Sequence, residues 1–430
     1  MTSTSPFRRL VPVRDDEIKA LIWATLYGFC IFTAYYILRP VRDEISSADR
    51  GNLQIIWTAV FFVMLAAVAA YSWLTTRVAR GRFVPLVNRF FLLNLLGFYA
   101  ALVLLPDSLR PWIDRFFYVW ASVFALFAVT VYWGFFADLF KSEQAKRLYP
   151  FIAFGASAGA IVGSSISAFL AGYLPEFGLL LAACVPLEIA SWCVVVLNRD
   201  NVGRGSAPDA RRDKPLTGNA LSGMRAVARS GYLQGIMLFI LLMTFASTVL
   251  YFLQADLIAD AFADDRTART AFYAKIDLVV NIVTTLLQLF VTARIIKWIG
   301  LAASLVFLPA VTALGFIGMG LFPTLTVLVV LQVLYRAGRY GLAKPAREVL
   351  FTIIGREEKY QTKAFLDAAV YRGGDLVSGW VYSGLAAVGL SLGAIALVAA
   401  PVAGVWAVVA FRLGRSHDEL QANERRSERP

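Results

Sequence analysis

The chain has 430 residues, of which 59% are hydrophobic and only 16% are charged, and its net charge is +12. Soluble domains are about 45–50% apolar and about 25% charged, so this composition excludes a cytosolic enzyme, a DNA-binding regulator and a secreted domain. The single histidine, His417, and the cysteines Cys30, Cys184 and Cys193 are far apart in the sequence. Since zinc and haem sites need clustered ligands, we expect no metal and no cofactor. The chain belongs to the class of polytopic membrane proteins.

Twelve apolar segments are long enough to cross a bilayer, which takes roughly 20 helical residues. Their apolar runs are long and unbroken, as in helices, whereas the strands of a membrane barrel alternate. The sequence therefore predicts an all-α polytopic membrane protein with a major-facilitator-like layout. The predicted spans 1 to 12 cover residues 18–38, 53–76, 83–105, 112–140, 148–174, 177–197, 233–258, 271–295, 300–320, 323–344, 364–390 and 391–411.

The longest hydrophilic stretch divides these spans into two groups of six. The predicted domains are an N-terminal half (1–197), a basic linker (198–232), a C-terminal half (233–411) and a charged, disordered tail (412–430). Transporters of this layout bind their substrate between the halves near the bilayer midplane. A Gly-x4-Gly-Lys-Ser/Thr phosphate loop does not occur in the sequence. We therefore expect transport driven by a gradient or by exchange, and neither an ATP-driven pump nor an enzyme.

The positive charges predict the orientation. With the N-terminus in the cytoplasm, and with the cations near span ends and those of span 10 assigned to the adjoining loops, 31 of the 41 Lys and Arg residues fall on the cytoplasmic side and seven on the outer side. The remaining three, Arg89, Lys275 and Arg372, lie inside spans. Because cytoplasmic loops carry the excess of Lys and Arg, both termini are predicted to be cytoplasmic. The charges are scattered over seven loops and ends, so we expect no nucleic-acid partner. No targeting extension precedes span 1, which favours a bacterial inner membrane, and we expect a monomer in the lipid bilayer.

A charged cluster follows span 1 in the sequence YYILRPVRDEIS, which contains Arg39, Arg42, Asp43 and Glu44. It has two interpretations: a charged cluster at the outer interface, or cations aimed into a central cavity by the bend at Pro40. On a continuous helix, residues three apart share one face, so Arg39 and Arg42 would point the same way. Under the second interpretation both arginines bind substrate and Asp43 belongs to a gating pair.

Span 10 carries cations on one face in the sequence LQVLYRAGRYGLAKPAREVLF. At about 100° per residue, Arg336, Arg339, Tyr340 and Arg347 fall on a common arc, with Lys344 close to it. Arginine offers a planar fork that suits phosphates and carboxylates, so the arc predicts a site for a phosphate-bearing or polycarboxylate ligand. The alternative is a basic helix end that obeys the positive-inside rule. This alternative explains Lys344 and Arg347, but it explains Arg336 and Arg339 less well.

Acidic groups near these cations predict charge pairs that rearrange as the cavity opens and closes. The predicted gating groups in this region are Lys344, Glu348, Asp367, Arg372 and Asp375. Arg372 can pair with Asp375 at i,i+3, and Tyr371 on the same span could stack on a base. A permanent, structural ion pair inside the bundle is the alternative. Further ionisable groups lie within spans at Arg89, Glu188, Lys275 and Asp277 and are as compatible with structure as with function.

Span 5 contains a regular glycine pattern, FGASAGAIVGSSISAF, with Gly155, Gly159 and Gly163 four residues apart. Small residues on one face let helix backbones approach closely. The pattern predicts a helix-packing face, and the same face could also serve as a surface on which the halves rock.

Three motifs together resemble those of the non-mitochondrial ATP/ADP translocases, the nucleotide transporters of plastids and intracellular bacteria. The motifs are YILRPVRD after span 1, YWGFFADLFKSEQAKRLYPFIAFG at spans 4 to 5, and RAGRYGLAKPARE…KYQTKAFLD…YRGGD at spans 10 to 11. The resemblance implies a twelve-helix, major-facilitator-like fold. It also implies exchange of ATP for ADP and phosphate, or movement of related nucleotides.

The family pattern is retained in part. The family has Arg-Asp-x-Lys-Asp after span 1, where this chain has Arg39 to Asp43 with the cation kept at Arg42. In span 10 the family has Asp-Pro-x-Lys-Glu, which corresponds here to residues 344–348 and keeps the proline, a cation and the glutamate. The family glutamates of spans 4 and 7 align with Ala121 and with the apolar stretch Val249–Tyr251. Leu253 and Gln254 replace the family lysine of span 7.

The retained cations predict an anionic substrate, whereas the replaced acids do not support ATP/ADP exchange itself. We therefore expect a secondary transporter that works by alternating access on an anionic, phosphorylated metabolite, with a nucleotide as the first candidate. A transporter of a non-nucleotide solute, such as an amphiphile, a siderophore or another organic anion, is the alternative on the same fold. A membrane enzyme or a non-transporting sensor is the alternative of another class.

Overall fold

The computed structural model describes residues 14, 17–75, 77, 80–140, 142–174, 177–202, 220–290 and 292–427, and all regular elements in this part of the chain are helices. Six α-helices precede residue 203: α1 Ile18–Ala48, α2 Leu53–Thr75, α3 Arg80–Leu104, α4 Arg110–Leu139, α5 Ser142–Leu170 and α6 Gly178–Val202. Nine follow: α7 Ala220–Arg229, α8 Gly231–Phe262, α9 Arg266–Phe290, α10 Thr292–Leu321, α11 Leu325–Gly338, α12 Lys344–Leu350, α13 Arg356–Phe365, α14 Tyr371–Ala387 and α15 Leu392–Ser427.

Ten of the helices in the described residues are long and apolar enough to cross a membrane, and they correspond to predicted spans 1 to 9 and 12. Predicted spans 10 and 11 are also helical, but each is divided by a π-helical turn, at Arg339–Ala343 and at Leu366–Val370. The prediction of an all-α, polytopic membrane protein is confirmed in the described residues.

The first π turn has a covalent cause. Pro345 has no backbone N–H, and its ring would clash with the carbonyl group four residues earlier. The chain widens by one residue ahead of the proline, so that the Lys344 N–H bonds the carbonyl of Arg339, five residues back. π turns of this kind are frequent at functional sites. The turn at Leu366–Val370 contains no proline and makes the same type of bond, from Tyr371 to Leu366.

Two helices differ from their predicted bounds. Helix α1 extends ten residues past predicted span 1 and contains Pro40, so the motif RPVRDEIS is helical. The tail was predicted to be disordered from residue 412, but α15 continues to Ser427, and Leu413 and His417 are buried on it. In a helix that is already nucleated, each further residue gains a hydrogen bond for the backbone that it fixes, and polar composition alone does not reveal this continuation. Of the predicted linker, residues 203–219 lie outside the described part.

Two compact units make up the fold. Unit 1 comprises Met1–Asp49, Phe62–Pro208 and Asp265–Leu278, and unit 2 comprises Arg50–Phe61, Asp209–Asp264 and Val279–Pro430. The start of α9 therefore packs within unit 1, and the start of α2 packs within unit 2. In unit 1 the core includes Tyr27, whose ring lies 5.5 Å from that of Tyr132. In unit 2 the fully buried Trp406 packs against Phe239 with ring centroids 5.6 Å apart.

The three glycines of predicted span 5 lie directly against α1. A Cβ atom at Gly155, Gly159 or Gly163 would lie 2.6, 2.1 or 2.4 Å from the nearest α1 atom, and in each case a backbone carbonyl is at that distance. The Thr33 hydroxyl donates to the carbonyl of Gly159 at 3.2 Å across this contact. Backbones this close exclude any side chain, so the glycines allow α1 and α5 to pack together.

We expect Gly159→Ala to destabilise the protein because its methyl group would overlap the Phe29 carbonyl. Overpacking of this type costs about 1–3 kcal/mol, and thermal unfolding of the purified protein in detergent measures it as a lower midpoint. Gly97→Ala in α3 is the matched control, since nothing lies within 4 Å of the added methyl group. Equal midpoints for the two variants would contradict the packing assignment.

Candidate functional site

Arg39 and Arg42 lie beside carboxylates in unit 1. Arg39 Nε is 3.5 Å from Asp43 Oδ2 and 3.6 Å from Asp277 Oδ2 of α9, and these three side chains are 13%, 5% and 2% exposed. Arg42 donates from Nε to Asp43 Oδ1 at 2.9 Å, and its guanidinium carbon lies 5.7 Å from the ring centre of Tyr118. Both predicted substrate-binding arginines are thus neutralised by internal acids in this structure.

Glu44, one residue further along α1, is the most deeply buried acid of this group, with 1% of its side chain exposed. Arg269 Nη2 donates to Glu44 Oε1 at 2.7 Å, and Arg266 Nε lies 3.1 Å from Glu44 Oε2. Arg266 also makes a bidentate contact with Asp114 of α4, at 2.8 and 3.1 Å. Helices α1, α4 and α9 are therefore joined by one buried ionic network.

Glu44 belongs to the charged cluster identified in the sequence, but its partners Arg266 and Arg269 were not predicted. A signal was available: both arginines are among the seven cations that the predicted orientation places on the outer side, where the positive-inside rule disfavours them. They are three residues apart, so they share a helix face. Cations that persist on that side need a local reason, and buried Glu44 is that reason.

In unit 2, Arg339 is partly buried and surrounded by hydroxyl groups and aromatic rings. It donates from Nη1 to the Ser247 hydroxyl at 3.1 Å and from Nη2 to the Tyr371 hydroxyl. Its guanidinium carbon lies 5.5 Å from the ring centre of Tyr371 and 5.8 Å from that of Tyr340. Among the described side chains, no carboxylate lies within 4 Å of Arg339. Arg336 is partly buried one turn earlier on α11.

Asp375 occupies the next turn of α14. Arg372 Nη1 lies 3.7 Å from Asp375 Oδ2, as the i,i+3 spacing predicts. Thr248 of α8 donates to Asp375 Oδ1 at 3.4 Å. Since Ser247 and Thr248 are consecutive, one turn of α8 contacts both the cation Arg339 and the acid Asp375. These contacts bring α8, α11 and α14 together around a polar centre.

A second charged group lies where α12, α13 and the turn before α14 meet. Arg347 is 11% exposed and lies 3.4 Å from Asp367 and 3.6 Å from Glu348. The Lys363 ammonium donates to Glu348, a partner that sequence reasoning missed although it belongs to the quoted motif KYQTKAFLD. Burial raises the pKa of the Glu348 carboxyl, but Lys363, Arg347 and Lys344 together lower that pKa below its ordinary value. Lys344 itself is exposed.

The π turn divides the predicted row of cations. A uniform helix would place Arg336, Arg339, Tyr340 and Arg347 on one arc, but the extra residue at Arg339–Ala343 rotates everything after it. In the structure Arg339 contacts Ser247 and Tyr371, while Arg347 contacts Asp367 and Glu348. The row is thus two separate clusters.

The positions at which this chain departs from the family pattern are packed and uncharged. Ala121 is 4% exposed in unit 1 and Val249 is fully buried in unit 2. Gln254, which stands near the missing lysine, accepts a hydrogen bond from the buried side chain of Gln332 on α11. A neutral amide pair therefore occupies this part of unit 2.

The remaining predicted intramembrane charges fall into two kinds. Arg89 of α3 and Glu188 of α6 pair with each other at 2.7 Å, and both are about half exposed. Lys275 is exposed on α9, whereas Asp277, two residues later, is buried beside Arg39. Of these four residues, Asp277 therefore contacts a predicted binding residue.

We expect Glu44→Gln to lower stability strongly, because it removes the negative charge that the buried Arg269 contacts. Breaking a buried ion pair from one side costs about 3–5 kcal/mol, which would lower the thermal unfolding midpoint in detergent. Asp107→Asn is the control, since Asp107 is 97% exposed and 3.9 Å from Arg110, and exposed pairs contribute little. A Glu44→Gln midpoint equal to that of wild type would contradict the structural role of the network.

Comparison with known proteins agrees with this description. No protein-family model matches the sequence. The chain is 22% identical to ADP,ATP carrier protein 1 of Chlamydia pneumoniae, over 96% of this chain and 95% of the carrier. A bacterial homologue of the iron transporter ferroportin, in an inward-facing state, superposes with a TM-score of 0.65 at 14% identity, covering 96% of this chain and 100% of that one. A POT family transporter in complex with 5-aminolevulinic acid gives 0.65 at 11% identity, covering 93% and 96%.

The structural neighbours establish the fold, which is that of solved polytopic membrane transporters. The proteins named in these comparisons are carriers and transporters, which agrees with the prediction of a transporter and not an enzyme. The chain is a multi-pass membrane protein that resembles the ADP,ATP carriers of Chlamydia over nearly its whole length.

Proposed function

We propose that the protein is a secondary active transporter that moves an anionic, phosphorylated metabolite by alternating access, with a nucleotide as the first candidate. The observation that carries this proposal is Arg339, a cation in predicted span 10 that has hydroxyl partners but no carboxylate within 4 Å among the described side chains. The proposed binding residues are Arg39, Arg42, Arg336, Arg339, Tyr340 and Arg347.

A charged side chain in an apolar surrounding is unfavourable unless another charge compensates it. An uncompensated charge at membrane depth costs at least about 2.5–3.5 kcal/mol, so most cations in spans have an internal acid. Tyr371 and Ser247 give Arg339 hydrogen bonds but no negative charge. A phosphate group would supply that charge and accept the planar fork of the guanidinium. The charge of Arg339 is then compensated only when the anion is bound, and this favours selectivity for anionic substrates.

The aromatic residues around Arg339 suit a substrate that carries a ring. Tyr340 follows Arg339 in the chain, is 38% exposed and lies beside the guanidinium. Tyr371, at the start of α14, also lies beside the guanidinium. Rings of this kind can stack on a nucleobase. We assign Tyr340 as the stacking residue, because Tyr371 is already fixed by its hydrogen bond with Arg339.

The other proposed binding arginines would exchange partners during transport. Arg39 and Arg42 contact Asp43, and Arg347 contacts Asp367 and Glu348. A polyphosphate that reaches these arginines competes with the carboxylates, so binding of substrate releases internal acids. Such a competition couples the arrival of substrate to the opening of charge pairs, which is what an exchanger requires.

The gating contacts would include the network around Glu44. Helix α1 belongs to the predicted N-terminal half and α9 to the predicted C-terminal half, so a movement that separates the start of α9 from α1 would break the Glu44–Arg269 contact. We assign Asp43, Lys344, Glu348, Asp367, Arg372 and Asp375 to gating as well. The protein would function as a monomer in a bacterial inner membrane with both termini in the cytoplasm, as the distribution of Lys and Arg indicates.

Support for a nucleotide comes from the similarity to a protein named ADP,ATP carrier. The uncharged positions Ala121 and Gln254 favour the alternative, a transporter of another organic anion, because they remove charges that the family pattern has. A membrane enzyme or a sensor is the alternative of another class, and either would fail to move solute across a bilayer.

We expect proteoliposomes loaded with unlabelled ADP to accumulate labelled ATP, and ATP to compete better than adenosine. Arg339→Gln should lower the initial rate at least tenfold, because its phosphate contact is lost, and Arg339→Lys should retain part of the rate. The control is Arg225→Gln, an exposed arginine on α7.

Three outcomes separate the hypotheses. If sugar phosphates or dicarboxylates accumulate but no nucleoside phosphate does, the substrate is another organic anion and not a nucleotide. Accumulation of a neutral solute only, unaffected by Arg339→Gln, would overturn the anion site. No counterflow with any solute would favour an enzyme or a sensor.

A further inference from the structure

We propose that an anionic phospholipid binds in a cleft between α10 and α15. The cleft is an open, shallow surface depression of about 710 Å³ within unit 2. Its lining changes from apolar to cationic along α15, in the order Ala407, Val408, Phe411, Arg412, Arg415, Ser416 and Glu419, and α10 contributes Val306. This lipid site is separate from the proposed transport site around Arg339.

The apolar part of the cleft lies on a membrane-crossing helix and faces outward. Val408 is 51% exposed and Phe411 is 49% exposed, both on the membrane-crossing part of α15, Leu392–Ala422. Apolar groups exposed on such a helix contact lipid tails. The cavity is shallow and open, so an acyl chain would lie along the exposed face of α15 with Val306 of α10 at its side.

The cationic part begins where the apolar part ends. Arg412 and Arg415 are exposed and three residues apart, and among the described side chains no carboxylate lies within 4 Å of either guanidinium. Arg415 is stacked over the Phe411 ring at 5.9 Å, which holds its guanidinium at the apolar boundary. Two guanidiniums and the Ser416 hydroxyl offer donors to a phosphate, and Glu419 at the far end of the cleft carries the only opposing charge among the described lining residues.

The opposite face of α15 fixes the position of these arginines. Leu413 and His417 are 4% and 2% exposed, so they anchor this turn of the helix in unit 2. A Cβ at Gly414 would lie 2.4 Å from Ala302 Cα, which shows that α10 and α15 are in backbone contact beside the cleft. The helix therefore holds Arg412 and Arg415 outward in a defined geometry.

A ligand that fills the whole cleft needs an apolar part for its apolar lining and a negative charge for its cationic lining. A free phosphate would use the arginines but leave the apolar wall unfilled, and a zwitterionic lipid brings a cation of its own towards Arg412 and Arg415. An anionic phospholipid such as phosphatidylglycerol matches both parts. Each arginine near an anionic headgroup contributes about 1 kcal/mol, so two arginines are expected to change the affinity about 30-fold.

The test measures the dissociation constant of phosphatidylglycerol by native mass spectrometry on the purified full-length protein in detergent. Phosphatidylcholine with the same acyl chains is the comparison lipid. Phosphatidylglycerol should bind more tightly to wild type. The double variant Arg412→Gln/Arg415→Gln should lose about 30-fold in affinity and bind both lipids equally. Val408→Trp, which fills the apolar part, should weaken both lipids.

The control is Arg225→Gln/Arg229→Gln, which removes two exposed arginines from α7, outside the cleft, and should retain the wild-type affinity. Equal losses in the two double variants would overturn the site in favour of general charge attraction. Equal binding of the two lipids by wild type would overturn it as well. Displacement of the lipid by inorganic phosphate or glycerol phosphate at similar concentration would show a free-anion site instead.

Discussion

The exclusion of water from the membrane is the constraint on which this structure depends. A charge that cannot be hydrated needs a counter-charge, and the buried charges that join α1 and α9 in unit 1 follow this rule. Arg39 is compensated by Asp43 and Asp277, and Glu44 by Arg269 and Arg266. These contacts fix α9 to α1 more specifically than apolar packing could, since apolar side chains contact lipid and protein equally well. Arg339 has only hydroxyl groups as hydrogen-bond partners among the described side chains, and the nearby Asp375 acts on it at longer range. This weaker compensation carries the functional proposal.

Close helix packing and irregular helical turns position the charged side chains. Glycines bring α5 into backbone contact with α1 at Gly159, and the charged side chains Arg39–Glu44 lie in later turns of the same α1 helix. In unit 2, the π turns Arg339–Ala343 and Leu366–Val370 both border residues of the proposed site. A π turn offsets the side chains that follow it, so Arg339 can contact α8 and α14 while Arg347 contacts the start of the next span. The irregular turns therefore separate a binding cation from gating cations on one predicted span.

Some of this could be predicted from the sequence and some could not. Apolar length predicts the spans, and four-residue glycine spacing predicts the face that contacts α1, because both are local properties. The i,i+3 pair of Arg372 and Asp375 is local as well. The Glu44–Arg269 contact joins residues 225 positions apart, and spacing carries no information about such pairs. The π turn at Arg339–Ala343 was also missed, although Pro345 marks it, since a helical-wheel argument assumes a constant turn. The helical tail was missed because composition alone ignores helix continuation.

The most direct test of the central claim, that Arg339 is completed by the charge of the substrate, is the binding of adenosine, AMP, ADP and ATP to the purified protein by calorimetry at one ionic strength. We predict that affinity rises from adenosine to the phosphorylated forms by about tenfold or more, as expected for a charge-assisted contact of about 1.5–3 kcal/mol. We also predict that the rise disappears in Arg339→Gln while any binding of adenosine itself is unchanged. Equal affinity for adenosine and ATP, or an undiminished preference for phosphate in Arg339→Gln, would contradict this role of Arg339.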